Sequence, residues 1–122
     1  MTLGMIGLGR MGANMTERLV RGGHRVVGYA RKQEARERVV AKGAESAVSL
    51  KALLATLEAP RTLWLMVPAE AIDPVISELL PLLVAGDTLV DGGNSNYKDT
   101  LRRAQRLADK QIHYVDCGTS GG

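Results

Sequence analysis

Leu3-Gly4-Met5-Ile6-Gly7-Leu8-Gly9-Arg10-Met11-Gly12-Ala13-Asn14-Met15 is the stretch on which the fold turns. An apolar run ends in Gly7-Leu8-Gly9-Arg10-Met11-Gly12, a GxGxxG sequence, and the residues behind it take a helical period, with Met11, Met15 and Leu19 at i, i+4 and i+8. A strand that turns through glycines directly into a helix is the context a phosphate-binding turn requires. Gly7 permits the tight turn, Gly9 lets the backbone approach a pyrophosphate with no Cβ in the way, and Gly12 lets helix and strand pack closely. The free N–H groups of the helix start, at the positive end of its dipole, then hold the phosphates. A glycine-rich turn that binds nothing is the alternative, and the flanking strand and helix weigh against it. Gly22-Gly23 supplies the stop, since glycine suits a left-handed C-terminal cap.

Outward from this turn, short apolar runs alternate with segments of helical period, the pattern of βαβ units. Strands are predicted at 3–7, 25–29, 44–48, 62–67, 88–91 and 112–117. Ser49 is the expected N-cap of a short helix carrying Leu50, Leu53, Leu54 and Leu57; Ile72, Val75, Ile76, Leu79 and Leu80 mark a longer one ending near Pro81. A last helix over 99–110 has Leu101, Ala104, Leu107 and Ala108 on one side, with Arg102, Arg103 and Arg106 largely on the other as a solvated face. Trp64 and Cys117 fall within predicted strands and are expected in the core. Right-handed crossovers between parallel strands then predict an α/β fold: a Rossmann-type, doubly wound, mainly parallel six-stranded sheet in order 3-2-1-4-5-6, with helices on both faces. Residues 1–122 are read as one domain. The chain stops after a strand and a glycine pair with no helix to cover that strand, so it is expected to be a piece of a longer protein, able to associate through the exposed sheet edge.

Composition narrows the function. The 122 residues are 45% hydrophobic, enough for one core, and the formal charge of +3 is spread along the chain. With no Phe, one Trp and three Tyr, the stacking platforms of single-strand binders are missing, and no nucleic-acid partner is expected. Cys117 is the single cysteine, which rules out an intrachain disulfide and favours a cytoplasmic location. There is no signal-peptide pattern and no apolar run of about 18 residues, so no membrane partner is expected. Metal-ligand spacing is absent, and His24 and His113, beside predicted strands, read as structural or exposed.

Cofactor choice is read at the end of the second strand. An Asp or Glu roughly 20 residues beyond the motif would hydrogen-bond the adenosine ribose of NAD, but Ala30 stands there, followed by Arg31 and Lys32. A small neutral residue and two cations suit the 2′-phosphate of NADP, which is favoured over NAD. The alternative, ordinary surface cations, is weakened because cations in the first turn of a helix oppose its dipole. Further on, Asp91-Gly92-Gly93-Asn94-Ser95-Asn96-Tyr97-Lys98-Asp99-Thr100 and Gly118-Thr119-Ser120-Gly121-Gly122 put polar loops at the carboxyl edge of the sheet, where open α/β sheets bind ligands. Alone, either loop is equally readable as a turn, with Asn94 or Ser95 capping a helix.

Taken together, these residues resemble the decarboxylating 6-phosphogluconate dehydrogenases across the whole chain. The resemblance is carried by the stretch from Gly7 to Met15, by Leu65-Met66-Val67-Pro68-Ala69, by the segment from Asp91 to Thr100, and by Ser120-Gly121-Gly122. The related 3-hydroxyisobutyrate dehydrogenases share the glycine turn and a Ser-Gly-Gly loop but usually lack the Asn94-Ser95 pair. The resemblance implies oxidation of 6-phosphogluconate by hydride transfer to NADP and loss of carbon dioxide to give ribulose 5-phosphate, the oxidative step of the pentose phosphate pathway. It implies that Gly7, Leu8, Gly9, Arg10, Met11 and Gly12 hold the cofactor, that Val67, Pro68 and Ala69 line it, and that Arg31, beside Ala30 and Lys32, meets the 2′-phosphate. Asn94 would lie near both nicotinamide and substrate; Ser120, Gly121 and Gly122 would contact the sugar acid. The family's general-base lysine, acid glutamate and all-helical dimerisation domain lie beyond Gly122, so the parent is expected to be a homo-oligomer and the isolated chain inactive. Glu70, where the family often has glycine, reads as a helix-start carboxylate. Two other readings remain: the cofactor domain of a β-hydroxyacid dehydrogenase acting on a small unphosphorylated acid, and a stand-alone NADP-binding module.

Overall fold

The computed structural model describes residues 1–93 and 96–117. Its elements run β1 (Thr2–Ile6), α1 (Arg10–Arg21), β2 (Arg25–Tyr29), α2 (Gln33–Val40), β3 (Glu45–Ala47), α3 (Leu50–Thr56), β4 (Thr62–Leu65), α4 (Ala69–Leu79), β5 (Thr88–Asp91), α5 (Tyr97–Ala108) and β6 (His113–Asp116). The six strands form one sheet in the order β3-β2-β1-β4-β5-β6, with every neighbouring pair parallel. Two crossovers step outward from β1 to β3; the chain then returns through α3 to place β4 on the other side of β1. That reversal makes the carboxyl ends of β1 and β4 the switch point of the sheet.

Alternation along the strands sorts side chains into two cores. On one face Leu3, Met5 and Val26 pack with Leu8 and Val39, and Met15 and Leu19 of α1 close over them. On the other face Ile6, Val27, Leu63, Leu65 and Leu89 meet Leu53 and Leu54 of α3, Ile72, Ile76 and Leu79 of α4, and Leu107 of α5. Most of this second group are fully buried leucines and isoleucines, each contributing about 1.5–3 kcal/mol by removal from water. The Ser49 side chain accepts the Ala52 N–H at 3.0 Å, the expected cap of α3. At the amino edge of the sheet the buried Asp87 carboxylate accepts the backbone N–H of Arg61 at 2.7 Å and of Val84 at 2.9 Å and pairs with the Arg61 guanidinium at 3.1 Å. A carboxylate shut away from water requires this many partners.

Four expectations are corrected. Helix α5 buries Leu107 as expected, but Leu101 is 46% exposed while Arg103 is 3% exposed, because Arg103 finds carboxylate partners on α4 and β5. Cys117 is exposed, lying just beyond the end of β6, at an edge of the sheet. Strand β4 stops at Leu65, so Val67 belongs to the loop beyond it. In α1 the buried positions are Gly12 and Thr16, and Met11 is 47% exposed.

Register brings the loops together. Ile6 lies beside both Tyr29 and Leu65, and Leu65 lies beside Asp91. Gly7, Ala30, Met66 and Gly92 therefore leave the sheet side by side at its carboxyl edge.

Candidate functional site

The three glycines of the first turn are there for different reasons. Gly7 has φ +98°, outside the range of most L-residues, and a Cβ there would run into the backbone carbonyl of Met66. At Gly12 a Cβ would strike the carbonyl oxygen of Gly7, which is how closely α1 approaches the turn. Gly9 is under no such demand: its φ of −67° and ψ of −171° are open to any residue, and a Cβ would meet nothing within 4 Å. The space a side chain would fill is clear, and it lies at the N-cap of α1, where no side chain caps the helix and no acidic residue stands in the first turn. A cradle of this kind, with uncapped N–H groups and a positive dipole end, fits the pyrophosphate of a dinucleotide.

Two recesses open on either side of this turn. On the β2 side, a cavity of about 340 Å³ is lined by Leu8, Gly9, Ala30, Arg31, Lys32 and Arg38, with Glu34 on its wall. Arg31 and Lys32 precede α2, whose N-cap is Lys32 itself, instead of lying in its first turn as expected; no side chain caps this helix either. Arg36 shapes the bend, its Nη1 donating to the carbonyls of Ala30 at 2.8 Å and Arg31 at 3.0 Å. Neither Arg36 nor Arg38 was anticipated; the second stands one and a half turns into α2, and its helical spacing from Glu34 was the available signal.

On the β4 side, a cavity of about 350 Å³ joins Gly9, Arg10, Met11 and Gly12 to Val67 and Pro68 and to Gly92 and Gly93. Ala69 begins α4 just behind Pro68, and Glu70 is in the first turn of that helix. Asn94, Ser95 and Gly118 to Gly122, hence the anticipated contacts of Asn94, Ser120, Gly121 and Gly122, lie outside the described residues. The cap of α5 is supplied by Asn96, whose Oδ1 accepts the Lys98 N–H at 2.8 Å. Among the described residues no cluster of His, Cys, Asp and Glu could hold a metal, and no helix is long and apolar enough to cross a membrane.

Behind this second recess is a polar network that periodicity gave no sign of. Asp91, fully buried at the end of β5, accepts the Gly93 N–H at 2.9 Å and the Tyr114 hydroxyl at 2.8 Å. Arg103 reaches Asp91 at 3.9 Å and forks onto Asp73 of α4 with bonds of 3.0 and 3.2 Å. Hydrogen bonds from Arg103 and then Arg102 hold the Asp73 carboxyl down at about 2. Burial, reinforced by the hydrogen bond to Asp91, pushes the Tyr114 hydroxyl above its ordinary range.

A glycine turn opening a helix at the switch point of a parallel sheet, with recesses on both sides, defines a dinucleotide-binding Rossmann domain of the dehydrogenase class. Residues 2–122 match the family described as the NAD binding domain of 6-phosphogluconate dehydrogenase, and the chain belongs to it. A relative from Haloferax volcanii, 6-phosphogluconate dehydrogenase, NAD(+)-dependent, decarboxylating, is 43% identical over 100% of this chain and 40% of its own length. Among solved structures, Plasmodium falciparum 6-phosphogluconate dehydrogenase, determined apo, with NADP+ and with 6-phosphogluconate, superposes with TM-score 0.83 at 27% identity over 93% of this chain and 26% of that one. Mycobacterium tuberculosis 3-hydroxyisobutyrate dehydrogenase with L-serine gives TM-score 0.88 at 25% identity over 99% of this chain and 41% of that one. The chain thus spans about 40% of the Haloferax relative's length.

Proposed function

We propose that this chain is the cofactor-binding part of an NADP-dependent, decarboxylating 6-phosphogluconate dehydrogenase. The observation that carries the choice of NADP is the β2-side recess: the acidic residue that would engage a free ribose is replaced by Ala30, and Arg31, Lys32 and Arg38 surround the space. In this reading Gly7 to Gly12 hold the pyrophosphate, Arg31 and Lys32 meet the 2′-phosphate, and Val67, Pro68 and Ala69 flank the nicotinamide. Asn94 orients nicotinamide and substrate, and Ser120, Gly121 and Gly122 bind the sugar acid, a phosphorylated substrate of the whole enzyme. When bound, the nicotinamide supplies the hydride acceptor; the residues of this chain bind and orient it. The proton-transferring groups and the oligomer interface belong to an all-helical domain outside residues 1–122. A cytoplasmic setting goes with this reading, since an exposed thiol at Cys117 persists in a reducing compartment.

Calorimetric titration of the chain with NADP and with NAD at low ionic strength tests it, because exposed charge contacts are unscreened there. Tighter binding of NADP is expected. Tighter binding of NAD, as the Haloferax relative's name describes for that protein, would overturn the 2′-phosphate assignment and leave the fold untouched. A second reading, a 3-hydroxyisobutyrate-type dehydrogenase, is favoured by the high structural similarity to the mycobacterial enzyme. It predicts that the longer protein turns over a small unphosphorylated hydroxy acid faster than 6-phosphogluconate.

A further inference from the structure

The two loops that wall the β4-side recess come from different parts of the chain, and one buried arginine stands behind both. Val67 and Pro68 lead into α4, which carries Asp73 one turn from its start. Gly92 and Gly93 follow β5, which ends in Asp91. The loops touch: a Cβ on Gly92 would run into the Met66 sulfur, the atom group immediately before Val67. We propose that Arg103, forked onto Asp73 and paired with Asp91, is a positioning residue that fixes the separation of these two walls and so the fit of the nicotinamide half of the cofactor. The proposal rests on the dinucleotide reading of that recess.

The chemistry of the network supports a geometric role over a merely stabilising one. Asp91 spends its carboxylate on three separate elements: one oxygen takes the Gly93 N–H, which sets the path of the loop, and the other takes the Tyr114 hydroxyl from β6 and faces the Arg103 guanidinium from α5. Arg103 then transfers that position to α4 through two parallel bonds to Asp73, with Arg102 adding a third at 2.8 Å from the solvent side. A planar fork fixes both distance and orientation between its partners, whereas an ammonium fixes only proximity. A buried charge is weak evidence for net stability compared with apolar packing of the same volume, and an arginine at 3% exposure that joins α4 to the end of β5 fits a role in their geometry. Among the described residues, the network's hydrogen bonds and ion pairs involve none that line the β2-side recess, and this separation makes the role testable.

The experiment is calorimetry on the 122-residue chain and its Arg103→Lys and Tyr114→Phe variants, each titrated with the tighter-binding of NADP and NAD and with the adenine half of that cofactor alone. If Arg103 positions the walls, the whole dinucleotide binds about fivefold more weakly to each variant, while the adenine half changes by less than about twofold. Amide exchange at Gly93 also quickens in Tyr114→Phe, a change that needs no ligand. Equal weakening of both ligands, or unchanged binding of both with a lowered melting temperature, overturns the positioning role and leaves only a structural one. A wild-type chain that binds neither ligand overturns the cofactor reading, and the clamp with it; a wild type that binds both, with variants that behave like it, overturns the clamp alone.

Discussion

Gly9 and Gly12 stand three residues apart in one turn, yet a methyl group would meet open space at the first and the Gly7 carbonyl at the second. Gly12→Ala is therefore expected to cost about 1–3 kcal/mol, because the turn must shift to relieve an overpacked contact. Gly9→Ala should leave stability within about 0.5 kcal/mol of wild type and weaken dinucleotide binding roughly tenfold, since the added methyl occupies space the phosphates need. Urea midpoints and calorimetry on the two variants separate the cases; a Gly9→Ala chain that binds as well as wild type would remove the phosphate cradle. Ala30 offers the complementary test. An aspartate there sits opposite a 2′-phosphate and within reach of a ribose hydroxyl, so Ala30→Asp should shift the NADP-to-NAD affinity ratio toward NAD by about tenfold or more. Unchanged constants for both cofactors would mean that the β2-side recess does not select them.

At the scale of elements, sequence periodicity located the six strands and helices α1, α3, α4 and α5, because each apolar stripe is met by a stripe from a neighbouring element, whereas α2 carried no stripe that was read. On α5 it placed Leu107 inside correctly but exchanged Leu101 and Arg103. Arg103 looks like a surface residue until Asp73, thirty positions earlier, and Asp91 are folded against it, and pairings over such a distance leave no local pattern. The β2-side recess was legible from the departure at Ala30, whereas Arg36 was not, since its partners are backbone carbonyls that carry no sequence signature. The α4–α5 link has a consequence for acid stability. Asp73 is held at about 2 against an ordinary 3.8, so its contribution is complete above the higher value and is lost as pH falls toward the lower one. Its side chain is 38% exposed, so the contribution after solvent screening is about 1 kcal/mol. Asp73→Asn should thus lower the urea midpoint at neutral pH, and the gap to wild type should close between pH 3.8 and about 2. A gap that persists unchanged at the acidic end would locate the effect in packing instead of charge.

For the molecule as a whole, cofactor binding belongs on the proposed reading to residues 1–122 and proton transfer to the longer protein. Every group gathered at the carboxyl edge among the described residues can hold or orient a ligand: backbone N–H groups at the start of α1, cations beside β2, and glycine loops after β4 and β5. The buried carboxylates are committed, Asp91 to Gly93, Tyr114 and Arg103, and Asp87 to Arg61 and Val84, so neither is available to take a proton from a substrate hydroxyl. On the proposed reading, lack of the general base would remove typically 10²-fold to 10⁴-fold in rate, and incomplete substrate contacts would weaken the orientation on which hydride transfer depends. The isolated chain should therefore bind dinucleotide with an affinity that falls as salt is raised, since Arg31 and Lys32 are exposed, and should form no detectable NADPH from 6-phosphogluconate. Absorbance of the reduced nicotinamide, followed with the isolated chain and with the longer parent at equal concentration, checks both halves. Reduction by the isolated chain would mean that residues 1–122 already contain a proton acceptor for the substrate.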